Sequence, residues 1–360
     1  MDFRKEYLKI TAPNTSGSRT KQKLSALTKN PLAQFGLLAI ALILILVLSK
    51  TKIIPVSTSE AFGSVLIYAI ASIGFCLLLG YSGLASLGTA SFIGVGAFIT
   101  GNTLKAGTTI LPSLLIIGIV AIVLGVVVGF ISLRIEGIYL AILTLCLSEA
   151  LAKLLKSISI GALRVTNTQV SFFGLAISKE IVFVIMVLML FGLLVLTSNL
   201  IKSPTGRAMQ AMKSSTSAAQ AMGISLMKYR LFAFVIATLF ATISGFFYMI
   251  YIKNVEFSQT TLTSLSTSLN ILGAVIIGGA KSLWGTLFGA FIVFGLQQIV
   301  LIEIPFFAQN PDISVLFTGA LMIIICMFFP GGFAEIMLRL KIVITSGLKK
   351  WRVRKYGIEA

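Results

Sequence analysis

The chain contains no histidine, and only 11 of its 360 residues are acidic. Histidine is the side chain that ordinarily titrates nearest neutral pH and the commonest metal ligand. Its absence excludes hydrolytic triads and zinc sites of the usual kind. Cysteine is scarce too. Cys76, Cys146 and Cys326 each lie in an apolar run and none forms a CxxC pair, so small apolar packing explains them better than a disulfide or metal framework. No catalytic residue and no metal ligand is assigned. A GxxxxGK[ST] loop is missing, which removes ATP binding of the P-loop kind. Charge is thin, at 11% of residues against roughly 25% in a soluble domain.

What is present is apolar: 57% of residues are hydrophobic and the mean hydropathy is +1.02. A chain of this length cannot hide that much apolar surface from water, so the bilayer is the expected solvent. A spanning helix needs about 20 mostly apolar residues. Ten stretches qualify: 31–49, 60–80, 86–102, 111–133, 138–155, 180–200, 230–252, 265–280, 283–302 and 312–330. The third and eighth are short and rich in Gly, Ser and Thr. A broken or re-entrant course is open to either, tolerable only where protein buries it. The expected fold is all-α, a polytopic transmembrane helical bundle of about ten spans.

The net charge of +18 has two explanations, nucleic-acid binding and membrane topology. Topology fits the distribution, because cytoplasmic loops collect Lys and Arg. With the N-terminus inside, seven basic residues fall in 1–30, one at Arg134, five in 201–230, one at Lys281 and seven after residue 330. That is 21 of the 29, all on the cytoplasmic side. Residues 1–30, polar and without an apolar stretch, read as a cytoplasmic arm rather than a secretory signal. Residues 31–330 form the transmembrane domain, and 331–360 a basic cytoplasmic tail. In that tail Leu338, Leu340, Ile342 and Trp351 lie among seven basic residues, the pattern of an interfacial anchor on anionic lipid. No nucleic-acid partner is needed.

The loop 203–229 is too polar to span and too apolar to be idle. Ala208, Ala211, Met212, Ala218, Ala219 and Met222 form small apolar faces at helical spacing, and Gly223 ends that helix. Small residues allow a helix to dock closely into another protein's groove. The run Ser217-Ala218-Ala219-Gln220-Ala221-Met222-Gly223 resembles the E-A-A-x-x-x-G motif of the coupling helix in ABC importer permeases, with Ser217 where the motif has Glu. Together with Gly206-Arg207-Ala208-Met209-Gln210-Ala211, it looks like the cytoplasmic loop of branched-chain amino acid permeases.

Three further blocks, in order along residues 60–330, resemble the same family. They are Gly80 to Gly88 with Gly94-x-Gly96-Ala97, Arg134 to Thr144, and Gly278-Gly279 through Trp284-Gly285 to Gly289-Ala290. Thr89 stands where the family commonly carries His, and Glu136 where it often carries a base. The resemblance implies a permease subunit of an ATP-driven importer in a bacterial-type plasma membrane, with both termini cytoplasmic. It implies as partners a second related permease, two ATPase subunits that bind ATP and Mg, and an extracytoplasmic solute-binding protein. This chain itself would hold no cofactor. ATPase coupling falls to Gly206, Arg207, Ala208, Ala211, Ser217, Ala218, Ala219, Met222 and Gly223.

The block Ser82, Gly83, Ser86, Gly88, Thr89, Ser91, Gly94 and Gly96 brings hydroxyls to a glycine-rich segment. It is a candidate solute pathway, with ordinary interhelical hydrogen bonding as the plain alternative. Gly125 and Gly129, Gly278, Gly279, Trp284, Gly285 and Gly289 read as helix-packing positions. Glu149 and Lys153, four apart, are expected to pair locally. Within the resemblance, branched-chain amino acids are the expected solutes, and urea or nucleosides the alternative. An ion-coupled transporter would want buried acids or histidines, which this chain hardly offers. A membrane enzyme and a channel lack their marks altogether.

Overall fold

Every predicted apolar stretch folds as helix where it is described, and with π-helical continuations counted the ends lie within four residues of expectation. The computed structural model describes residues 31–50, 56–132, 137–158, 163–166, 171–172, 175–176, 178–255, 261–300, 304, 311–328, 331–335 and 337. The N-terminal arm, Arg134, Glu136 and nearly all of the basic tail lie outside them. Among the described residues the first six helices are α1 (Pro31–Lys50), α2 (Val56–Phe75), α3 (Thr89–Lys105), α4 (Ile110–Ser132), α5 (Ile138–Ile158) and α6 (Lys179–Lys202). Two short helices follow, α7 (Pro204–Ser214) and α8 (Thr216–Ala221), then α9 (Leu226–Ile252), α10 (Leu265–Gly278), α11 (Leu283–Ala290) and α12 (Pro311–Phe328). The segments Glu60–Ser82, Ile110–Ser132, Lys179–Lys202 and Leu226–Ile252 are long and apolar enough to cross a membrane by length and composition alone.

Two expectations about irregularity move. Neither the third nor the eighth span is broken: α3 runs unbroken from Thr89 and α10 from Leu265. The distortion sits instead at the ends of the second and ninth spans. There α2 continues as a π-helical turn, Cys76–Ser82, and α11 as a longer π segment, Phe291–Val300. Wider turns of this kind occur mostly as local bulges and frequently at functional sites. Glu149 and Lys153 also depart from expectation. Both are exposed on α5 and form no ion pair among the described residues, since water or headgroups can solvate each separately.

The bundle is built around α2 and α9. Helix α9 packs against α2, α3 and α4, and Phe240, Phe246 and Phe247 are buried there with Ile67, Ile70 and Ile73 of α2. Glycines set the close approaches. A Cβ on Gly245 would run into the Ile93 carbonyl, and one on Gly96 into the backbone of Thr242, so α3 and α9 touch backbone to backbone. Gly278 and Gly285 do the same to each other where α10 meets α11, and Gly289 faces the Ala274 carbonyl. Gly125 and Gly129 let α4 lie on Val235 and on Leu231 and Phe234 of α9. Gly279 (φ +98°) turns the chain against the Gly331 carbonyl, and Trp284 stacks on Phe35 at 5.5 Å.

The two ends of the bundle differ. At one, Glu60 pairs with Lys179, which also lies over the Tyr251 ring at 4.9 Å. Beside them β1 (Leu163–Arg164) pairs antiparallel with β4 (Asn254–Val255), the latter entered through Lys253 in the left-handed region (φ +64°). A second small pair, β2 (Ser171–Phe172) with β3 (Leu175–Ala176), closes on itself. At the other end lie α7, α8, the π turn of α2 and the turn between α10 and α11 that carries Lys281.

Candidate functional site

The polar loop after α6 folds as two helices rather than one. Ser203 opens α7: its hydroxyl accepts from Gly206 N at 3.3 Å, and Pro204 takes the first position, where no N–H is needed. Gly206 is required by the tight corner out of α6, since a Cβ would strike the carbonyls of Leu200 and Ile201. The break falls at Ser215, whose extended backbone (φ −159°) stops α7 and whose hydroxyl accepts from Ala218 N at 3.3 Å to start α8. Gly223 (φ +78°) ends α8, with Gly223 N donating to Gln220 O at 2.9 Å and Ile224 N to Ala219 O at 3.0 Å. Those two bonds satisfy the orphan carbonyls in the manner of a Schellman turn.

The two faces are also divided differently from the sequence expectation. Met209, Met212 and Ala219 are buried against the bundle, so Met212 and Ala219 do not belong to a docking face. Apolar side chains inside the loop are drawn to the nearest apolar surface, which is the protein's own. What remains outward is Ala211, Ser217, Ala218 and Met222, the last 84% exposed, with Arg207 beside them and Ala208 half-buried. An open groove of about 500 Å³ runs past α8, lined by Gln220, Gly223, Leu226, Met227 and Arg230.

Inward from α7 lies the π turn. Lys213 Nζ donates to Leu79 O at 3.0 Å and Gly80 O at 2.8 Å, the terminal carbonyls of the distorted helix. Burial and, secondarily, the Lys281 ammonium pull the Lys213 pKa below the ordinary lysine value. Gly80 rests on the Ala280 carbonyl with no room for a Cβ. Cys76 Sγ donates to Ala280 O at 3.2 Å and Tyr81 Oη to Lys281 O at 2.8 Å. Gly83 (φ +76°) then turns the chain beside the Lys213 stem, leading through a non-helical link to α3.

The pathway block divides into three groups. Ser82 Oγ is engaged with Leu78 O at 2.5 Å, and Ser91 Oγ with Ser148 O at 2.8 Å and with the Ser148 hydroxyl. Gly88, Gly94 and Gly96 serve close packing, against the Thr144 carbonyl, the Thr263 methyl and Thr242. Ser86 and Thr89 line a cavity. It lies between α2, α3 and α9, has room for about one water (≈ 10 Å³) and is otherwise walled by Phe75, Leu78, Phe92 and Phe234 with Thr238. Ser86 Oγ accepts from Gly88 N at 3.4 Å, whereas the Thr89 hydroxyl has no hydrogen-bond partner among the described residues.

Several residues that build this region, Ser148, Ser268 and Lys213 among them, carry no motif. Leu87 N donates to Thr144 Oγ1 at 3.0 Å and Ala90 N to Ser268 Oγ at 3.1 Å, so α5 and α10 supply the caps that α3 lacks in its own sequence. Thr144 and Ser148 lie one turn apart on α5 and meet Leu87 and Ser91, also four residues apart. That matched i, i+4 spacing was the available signal. Lys213 had none, because its partners are backbone carbonyls.

Comparison with known proteins places the chain in a family. A family model described as branched-chain amino acid transport system, permease component, matches residues 57–326. The high-affinity branched-chain amino acid transport system permease protein LivM of Escherichia coli is 26% identical over 374 residues, covering 95% of this chain and 81% of the relative. A probable branched-chain amino acid transport permease protein LivM of Methanocaldococcus jannaschii is 26% identical over 329 residues, covering 79% and 94%. A probable ABC transporter permease protein, y4mJ of Sinorhizobium fredii, is 35% identical over 111 residues, 31% of this chain and 32% of its own. No solved structure matches significantly. A glycine-locked multi-pass helical bundle, a doubly capped polar loop and a family match over most of its length make this chain a member of the branched-chain amino acid permease family.

Proposed function

We propose that the protein is the membrane-spanning subunit of an ATP-driven importer and provides the path for leucine, isoleucine and valine across a bacterial-type inner membrane. Both termini and the α7–α8 loop face the cytoplasm in this reading, where two ATPase subunits supply ATP and Mg chemistry. A second related permease completes the pore and an extracytoplasmic binding protein delivers the solute. The observation that carries the reading is α8: six residues held by a cap at each end, presenting Ala218 and Met222 outward from a membrane bundle. A helix so presented suits a groove in a partner. Movement of the ATPases would shift the bundle between outward- and inward-open populations, through their different affinities for the two states.

The path is proposed to pass the Ser86–Thr89 cavity. Neutral hydroxyls suit the charged ends of a zwitterion without trapping it, and Phe75, Phe92 and Phe234 suit a branched aliphatic side chain. The cavity as it stands is closed to a solute of that size. Uptake of labelled leucine, compared in cells with and without the gene, tests the function. Loss of uptake on deletion, with competition by unlabelled valine but not by urea or adenosine, is the expected result. Unchanged leucine uptake in a strain lacking other leucine systems would move the assignment to another solute.

A further inference from the structure

We infer that Lys213 is the positioning residue through which the cytoplasmic helices act on the solute path. The inference deepens the importer reading and rests on it. Three elements meet at this lysine. Its own helix α7 is joined to α8 by the single residue Ser215. Its ammonium holds Leu79 O and Gly80 O at 3.0 and 2.8 Å. Its stem lies alongside Gly83, with Cγ 3.2 Å from where a Cβ would stand.

The helix it grips is the one whose backbone is irregular. In a π turn the ordinary ladder is displaced, and the last carbonyls need outside donors. A lysine is well placed there, since the C-terminal end of a helix carries partial negative charge. Leu78, one residue before the gripped pair, lines the Ser86–Thr89 cavity, and its carbonyl accepts from Ser82 Oγ and Leu84 N. One of the lysine's two acceptors, Leu79 O, therefore belongs to the residue next to the cavity wall. The same turn is fixed on its far side to the α10–α11 turn by Gly80, Cys76 and Tyr81. Displacing α7 pulls the π turn relative to that fixed contact, and the Leu78 wall with it.

The test uses the whole complex, purified with its ATPase and permease partners and reconstituted in liposomes. ATP hydrolysis and leucine uptake are measured on the same preparation. Lys213→Met is expected to lower uptake about tenfold, the scale of losing charge-assisted hydrogen bonds, while solute-stimulated hydrolysis is largely kept. Lys213→Arg, which can still donate to two carbonyls, is expected to restore most of the uptake. A Lys213→Cys variant, in a background where Cys146 and Cys326 are replaced by Ser, adds a check made after assembly. Attaching an aminoethyl group to that thiol returns an amine at lysine length and is expected to return coupling, whereas an ethyl group is not.

Unchanged uptake in Lys213→Met would overturn the inference. So would a parallel fall of uptake and hydrolysis, or an aminoethylated complex that stays uncoupled. A wild-type complex without ATP-driven uptake would remove the importer reading itself, and this inference with it. If Lys213→Met does not assemble, the Arg variant and the modified Cys variant decide the question.

Discussion

Helices α4 and α9 are neighbours, yet their environments are opposite. The most apolar stretch of α4 is only 28% buried, and its Leu115, Ile119, Val123 and Ile131 all face outward. In α9 the corresponding stretch is 61% buried and carries Thr238, Thr242 and Ser244 on its inner side. A protein in water would place them the other way round. Lipid tails are as apolar as leucine, so burying α4 would gain little, and helices associate through close packing and hydrogen bonds instead. Helix α9 has both means. Gly245 admits the backbone of α3, and Ser244 Oγ donates to Ile67 O of α2 at 2.7 Å. Interior position here follows small residues and hydroxyls rather than apolarity.

The sharpest way to break the contrast is Gly245→Ala. The added methyl has to displace the Ile93 carbonyl, backbone that cannot swing aside. A loss of about 1–3 kcal/mol is expected, as for overpacking elsewhere. It would be read as a lower melting temperature of the detergent-solubilised protein and a smaller monodisperse fraction. Gly118→Ala on α4 should go the opposite way. No atom lies within 4 Å of the new methyl, and removing a helix-interior glycine is worth about 0.5–1 kcal/mol of added stability. The same melting experiment checks it, and a loss comparable to that of Gly245→Ala would end the distinction between the two helices.

The smallest effect is expected at the charged end of the bundle. Glu60 and Lys179 are about half exposed, and such pairs contribute no more than about 1 kcal/mol. Glu60→Gln should therefore leave the melting temperature nearly unchanged, with what little effect there is fading at high salt. A large drop would mean that this end is held by charge rather than by the packing of Gly63 on Tyr251.

The spans were legible because a bilayer imposes one length on every crossing, and apolar runs of that length have few other uses. The glycine contacts were legible as positions but not as pairs: GxxxG marks Gly125 and Gly129, while nothing in the sequence says that Gly245 meets Ile93. The π turn was not legible, because Cys76–Ser82 differs from an ordinary helix end only in where its carbonyls point. Lys213 counted merely as one more cytoplasmic charge for the same reason. The sequence presents the hydroxyl block as a unit, yet Ser91 is committed to Ser148 while Ser86 and Thr89 border a small cavity. Hydroxyl-rich composition identifies a polar segment, and tertiary contacts decide which of its oxygens are spoken for. The split at Ser215 could have been anticipated, since a Ser-Ser-Thr-Ser run offers several side chains that compete for helix backbone.

The double capping of α8 has a consequence for association. A loop that folds only on contact spends part of its binding energy on ordering itself. Here Ser215 at the front and Gly223 with Ile224 behind have already closed the short helix, and Ala219 anchors it to the bundle. Little conformational freedom remains to be lost when a partner arrives. In the proposed importer a contact surface of a few small residues can then suffice, and the partner can let go and re-engage in every cycle without the loop melting in between.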